Sequence, residues 1–245
     1  MSIADNLHRV RERIAKAAEA AGRQTEDITL VGVTKYVGPR EAAELVAAGC
    51  HDLGESRPQE LWSKFEELQR AGASPAPIPP IRWHLVGHLQ RNKIRRTLPL
   101  VSMIHSVDSE RLLRAINEEL AAAADSAELG SRQPLGVLLE VNTSGEPAKH
   151  GLAPDEVEPL LAIAPQYPHV AIRGLMTMAA LEGGPDVAAQ NFAALRELRD
   201  RLRPSAPEGV QLEELSMGMS GDFEIAIREG ATIVRIGSLL WEGIE

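Results

Sequence analysis

The 245 residues carry 26 Lys and Arg against 35 Asp and Glu, a formal net charge of -9, with 44% hydrophobic and 3% aromatic residues. That balance excludes binding to nucleic acid through bulk positive charge, and so few aromatic rings leave little on which bases could stack. One cysteine, Cys50, excludes an intrachain disulfide framework or a multi-cysteine metal centre and points to a reducing cytoplasm.

The first residues lack an apolar signal core, and no later run approaches the roughly 20 apolar residues that a membrane span needs. Residues 2–21 place Ile3, Leu7, Val10, Ile14, Ala17 and Ala21 three or four apart and stop at Gly22, which predicts an amphipathic helix. Residues 28–36 are apolar on both faces and rich in β-branched side chains, the pattern of a parallel strand covered on both sides. Lys35 stands at the carboxyl end of this strand. Burying an unpaired ammonium is costly, so a lysine here either sheds its proton or carries its charge out to solvent on its apolar stem. A neutral amine is a nucleophile suited to a Schiff base with a carbonyl compound, of which pyridoxal phosphate is the commonest partner.

A helix over 39–48 opens on Pro39 and ends at Gly49, residues 51–56 form a weak strand, and 58–69 form a helix. Ala, Pro and Gly make 71–80 a loop within one continuing domain. Strands are expected at 81–86, 101–107, 135–141, 170–176, 211–217 and 232–236. Helices are expected at 89–96 (short and basic), 109–124, 154–164, 187–202 and 220–228. Eight strands alternating with helices over residues 1–245 favour an α/β fold of the closed (β/α)8 TIM-type, with an extra N-terminal helix, as a single domain. No G-x-G-x-x-G follows the first strand, which argues against an open dinucleotide-binding sheet.

In such barrels reactive groups lie at the carboxyl ends of strands, and phosphate is often held by the loops after strands seven and eight. Ser216, Met217, Gly218, Met219 and Ser220 fill the first of those loops; they either leave backbone N–H groups and hydroxyls for an anion or make a helix-capping turn. At the end of strand eight, Gly237 permits close backbone approach and Ser238 adds a hydroxyl. Arg235 reaches either the heterocycle of a ligand or a rim carboxylate. Against a pyridine nitrogen, a guanidinium would keep the ring unprotonated and a weak electron sink.

His84 and His88 are four apart, half a metal site on a helix, but their strand-and-turn context and the lack of a third ligand at suitable spacing predict no metal; His84 is expected to line the barrel mouth. Gly218-Met219-Ser220-Gly221 lacks the final glycine of a nucleophile elbow, since Asp222 stands there, and Cys50 reads as a packed thiol. The basic run 91–96 is a solvated helix face or a docking face.

Taken together, several stretches resemble the pyridoxal phosphate homeostasis protein family, single-barrel relatives of the N-terminal domain of alanine racemase. They are Val33-Thr34-Lys35, Gly54-Glu55, Trp83-His84-Leu85-Val86-Gly87-His88-Leu89-Gln90-Arg91-Asn92-Lys93, Ile104-His105-Ser106-Val107-Asp108, Arg173-Gly174-Leu175-Met176, Leu215-Ser216-Met217-Gly218-Met219-Ser220 and Val234-Arg235-Ile236-Gly237-Ser238. The resemblance implies that Lys35 holds pyridoxal 5'-phosphate as a Schiff base, with Ser216, Ser220, Gly237 and Ser238 around the phosphate and Arg235 near the pyridine nitrogen. Ser56, His84 and Met217 complete the expected cofactor-binding set. Ser56 stands where the family usually has asparagine, and Ser238 where threonine is frequent.

The resemblance also implies a cytoplasmic protein that buffers or delivers the cofactor, with pyridoxal phosphate-dependent apo-enzymes as partners, no membrane or nucleic acid, and no turnover. The alternative is a small pyridoxal phosphate-dependent amino acid racemase or lyase. Racemisation needs a second acid/base opposite the lysine, which alanine racemase-like enzymes take from an additional domain of a partner subunit. The sequence stops at Glu245 just past strand eight, so a carrier, monomeric or weakly associated, is the expectation.

Overall fold

A computed structural model describes residues 2–71, 80–125, 133–146 and 150–244. Apart from its first and last residues, the connection expected at 71–80 lies outside them. Eight strands, β1 (Thr29–Val33), β2 (Asp52–Glu55), β3 (Arg82–Leu85), β4 (Met103–Val107), β5 (Leu135–Glu140), β6 (Val170–Met176), β7 (Glu214–Ser216) and β8 (Ile233–Ile236), pair in sequence order. All are parallel, and β8 closes on β1 through Thr29 opposite Ile233 and Gly32 opposite Ile236. This is the (β/α)8 barrel that the strand count predicted.

The strands run shorter than expected. Residues 28–36 end as strand at Val33, which leaves Lys35 in the loop beyond it. The strand expected over 211–217 is reduced to β7 because Leu212 adopts a left-handed backbone (φ 47) that an extended chain cannot include. The basic helix expected at 89–96 is only one α-turn, α4 (Ile94–Thr97), flanked by 3-10 turns. Arg91, Asn92, Arg95 and Arg96 are exposed on this stretch, as a solvated face requires. Arg96 and Lys93 lie over the Trp62 ring, 4.4 and 5.5 Å from its centroid, and Arg96 also binds Glu66.

Around the barrel run α1 (Ile3–Ala20), α2 (Pro39–Ala47), α3 (Pro58–Ala71), α4, α5 (Glu110–Asp125), α6 (Val157–Ile163), α7 (Gly184–Leu202) and α8 (Phe223–Arg228). Alternating strand residues build the main core against these helices, with Trp83, Leu85, Ile104, Val137, Leu139, Leu175 and Leu215 fully buried there. A smaller group, Val31, Leu138, Met176 and Ile233, fills the barrel itself.

The N-terminal helix has a structural task. A reciprocal cap joins Ser2 and Asp5 at its start, the device that frees a helix from unsatisfied N–H groups. Its apolar stripe, Ile3, Leu7, Val10 and Ile14, packs between α8 and α2. Among the described residues only a 3-10 turn (Ser238–Leu240) follows β8, so α1 fills the place in the ring that a helix after β8 would take. The buried Asn6 amide donates to the carbonyls of Leu240 and Glu242 (3.0 and 2.9 Å), tying the two ends of the ring together.

Candidate functional site: a cavity at the carboxyl ends of the strands

A cavity of about 510 Å³ opens at the carboxyl ends of the strands, within the range of small-molecule and cofactor sites. Lys35, Ser56, Ser220, Arg235, Gly237 and Ser238 all line it, so six of the nine expected site residues meet in one space. His84, Ser216 and Met217 do not. Met217 packs into the outer core, and the other two lie inside the barrel.

Lys35 is exposed in the mouth loop, its ammonium 4.8 Å from the centroid of the Tyr36 ring. Of the two placements the sequence left open, burial and reach to solvent, the side chain takes the second. β1 ends two residues earlier, and the side chain stands in the open rim instead of within the strand layer.

What is buried is the support beneath Lys35. Lys64 of α3 donates to Glu55 Oε2 (2.6 Å) and to the Thr34 carbonyl (2.7 Å), and Thr34 Oγ1 donates to the same carboxylate (3.0 Å). Glu55 Oε1 accepts the Ser56 N–H (2.8 Å). Side-chain exposures of 4% for Lys64 and 0% for Glu55 make this a desolvated ion pair. It pins the residue before Lys35 and the turn at Ser56 to one point. Gly87 lets that turn come close, since a Cβ there would stand 2.3 Å from the Ser56 carbonyl oxygen.

Arg235 forms the floor. It is 4% exposed; its guanidinium donates to Ser216 Oγ (2.7 Å) and to the Thr177 carbonyl (3.0 Å). Desolvation pushes it down to about 10, still charged at neutral pH. Behind it a hydrogen-bonded line crosses the barrel: Ser216 Oγ to His105 Nδ1 (2.9 Å), His105 Nε2 to His84 Nδ1 (2.9 Å), and His84 Nε2 to Asp52 Oδ1 (3.1 Å). Asp52 also accepts from Arg82. His84 therefore lies beneath the mouth it was expected to line, and the Ser216 hydroxyl faces Arg235 and His105. The inward alternation of β3, β4, β7 and β8 explains this, because the same period that buries apolar residues aims these four side chains at the axis.

The loops after β7 and β8 meet where an anion site was expected. The Gly237 N–H donates to Ser220 Oγ (3.2 Å), joining them. A Cβ at Gly237 would make only ordinary contacts, the nearest being Val33 at 3.6 Å, so packing within the chain does not demand glycine there. Asp222 accepts the Met219 N–H and so partly caps this turn; burial raises its carboxyl above the usual range.

A family model described as "Alanine racemase, N-terminal domain" matches residues 6–243. The pyridoxal phosphate homeostasis protein of Aquifex aeolicus is 39% identical over 241 residues, 98% of each chain. This chain belongs to the pyridoxal phosphate homeostasis protein family. Among solved structures, an unknown protein from Bifidobacterium adolescentis has a TM-score of 0.87 at 39% identity, covering 97% of this chain and 94% of the other. PipY of Synechococcus elongatus PCC7942, with PLP bound, has a TM-score of 0.81 at 31% identity, covering 98% and 99%.

In this member of the family the cavity has walls that sequence reasoning passed over. Glu140, 4% exposed at the end of β5, has its carboxyl raised by burial first and by Asp108 second. The signal was present, since a lone carboxylate ends the apolar run Leu135–Glu140 just as Lys35 follows an apolar run. Tyr36, His88, His150 and Met178 also line it without having been among the expected residues.

The line through the barrel makes stability depend on pH. Burial above all, then the charges of His84 and Arg235, hold His105 well below its ordinary value, so the native state keeps it neutral. The unfolded chain takes up a proton below about 6.5, so it binds more protons than the native state there, and stability falls as pH drops. The expected loss approaches about 1.4 kcal/mol per pH unit below that point, until the native ring itself protonates. Denaturation midpoints from pH 7.5 to 5.5 should show a slope that His105→Gln reduces; an equal slope in the variant would remove His105 as its source.

Proposed function

We propose that the cavity holds pyridoxal 5'-phosphate on Lys35 and that the protein serves intracellular vitamin B6 homeostasis without a turnover reaction of its own. The observation that carries this is the convergence of one amine, one buried guanidinium, three serine hydroxyls and an unhindered glycine on a single cavity. Those groups fit the cofactor. Lys35 offers the amine for its aldehyde, Ser220, Ser238 and the Gly237 backbone suit its phosphate, and Arg235 suits the ring nitrogen. When bound, the group supplies an electrophilic carbon and an electron-withdrawing ring. Arg235, fixed by Ser216 and Thr177, would donate a hydrogen bond to the ring nitrogen without transferring its proton, which leaves the ring unprotonated and restrains the electron withdrawal on which catalysis would depend.

The relatives' names and the ligand of PipY support this reading. Delivery to pyridoxal phosphate-dependent apo-enzymes is the role we infer. Tyr36, Met178 and Met219, three of the four large hydrophobic side chains exposed among the described residues, border the cavity, where a recipient must come. We read the chain as one cofactor-binding domain, cytoplasmic and monomeric; no helix among the described residues is long and apolar enough to cross a membrane.

Borohydride reduction of the cofactor-loaded protein, followed by peptide mass analysis, tests the assignment. The chain has five lysines, Lys16, Lys35, Lys64, Lys93 and Lys149, so the adduct can be placed without ambiguity. A stoichiometric pyridoxyl adduct on Lys35 is expected, whereas its appearance on another lysine, or on none, would overturn the reading.

A further inference from the structure

Three loops at one side of the cavity bring together His88, which follows β3, Asp108, which follows β4, and His150, which follows β5. One donor atom from each lies within 4.8 Å of the others. His88 Nδ1 is 3.3 Å from Asp108 Oδ2, and the rings of His88 and His150 stack with centroids 5.2 Å apart at 19°. The other Asp108 oxygen accepts the Ser109 hydroxyl (3.2 Å), which leaves Oδ2 facing the imidazoles. The pairing considered in the sequence, His84 with His88, is dissolved by the fold, since His84 is committed to His105 and Asp52 inside the barrel.

Two imidazoles and a carboxylate are the donor mix that zinc and its first-row neighbours take in three-ligand sites. Metal–ligand bonds of about 2.0–2.2 Å in a tetrahedron put donor atoms about 3.3–3.6 Å apart. The His88 and Asp108 atoms already meet that spacing. His150 is exposed, and a rotamer adjustment of its ring, a shift of up to about 1.5 Å, closes the rest. Both histidines line the cavity that Lys35 and Arg235 also line, so a fourth coordination position faces that space.

We propose that His88, Asp108 and His150 form a binding site for a divalent cation of the zinc class at the rim of the cavity. Its fourth position is open to water or to an oxygen of an anionic ligand. Asp108, oriented by Ser109, is the anionic ligand of the ion, and the Ser109 contact is the supporting bond that such ligands usually have. The ion would add positive charge at the entrance of a chain whose formal net charge is -9. The site stands whether or not the cavity takes pyridoxal phosphate.

The test is calorimetric titration of the chelator-stripped full-length protein with zinc at pH 7.5 in a non-coordinating buffer, with and without pyridoxal phosphate. Cobalt is substituted for zinc to read coordination from its visible spectrum. One equivalent is expected to bind, with a tetrahedral cobalt spectrum, and His88→Ala and His150→Ala should each weaken binding at least tenfold. Both side chains are exposed, so circular dichroism should show an unchanged fold; Asp108→Asn is the third variant, read by cobalt spectrum as well as affinity. Absence of a bound equivalent in the unmodified chain, or affinity and spectrum unchanged in both histidine variants, would overturn the proposal. Failure of borohydride labelling at Lys35 would leave this result untouched, so the two readings fail separately.

Discussion

Replacing Lys35 by alanine is expected to abolish the visible absorbance of cofactor-loaded protein and its borohydride-stable adduct while leaving the fold in place. The argument is positional. Lys35 is an exposed residue beyond the end of β1, so its removal takes nothing from the core, and a stability change within about 0.5 kcal/mol is the expectation for such a site. The other residues proposed to hold the ligand persist, because Arg235 is fixed by Ser216 and Thr177 and the loops after β7 and β8 are joined by Ser220 and Gly237. The variant should therefore retain weak, reversible pyridoxal phosphate binding, measurable by equilibrium dialysis, without the covalent signal. A variant that keeps the visible band would assign it to another amine, and one that unfolds would make Lys35 a structural residue.

The second large effect is expected a few ångströms below. Lys64→Met leaves the Glu55 carboxylate buried without its cation, and Glu55→Gln leaves the Lys64 ammonium without its anion. Removing one partner of a buried pair typically costs about 3–5 kcal/mol, because the remaining charge stays desolvated. Against the roughly 5–15 kcal/mol that holds a typical domain together, either change takes a large share of the total. Replacing both at once, Glu55→Leu with Lys64→Met, should recover most of the loss, since no charge is stranded. Denaturant unfolding of the four proteins measures this, and a single variant within about 1 kcal/mol of the unmodified chain would show that solvent reaches the pair. The same variants should label Lys35 less completely with borohydride, because the pair holds the Thr34 carbonyl directly ahead of it.

The barrel was legible because strands apolar on both faces, each followed by a helical period, admit few other arrangements, and the observed order follows them one for one. Strand ends were less legible. Nothing in the composition of 211–217 announces the left-handed turn at Leu212, and β1 stops at Val33 although Thr34 would continue a strand by propensity. Six cavity residues could be located because glycine, serine and basic residues at strand ends stand out against apolar runs. Ser216 carried the same signal and went elsewhere. As the last residue of β7 it shares the inward phase of Arg235 on β8, and one residue of register separates a loop hydroxyl from an interior one. The His105–His84–Asp52 line was hidden for a related reason: its members lie on three strands, and an inward histidine has the same period as an inward valine. The Lys64–Glu55 pair was hidden because a lysine in an amphipathic helix is read as solvated until its partner's place is known.

β8 pairs with β7 on one edge and with β1, from the earliest part of the chain, on the other; α1 takes the ring position after it, and Asn6 docks on residues 240 and 242. A nascent polypeptide still attached to the ribosome before β8 emerges can therefore assemble a curved sheet but not a sealed cylinder. Lys35 and Gly237 flank the β1–β8 seam, so a cavity lined by both requires that seam to be closed.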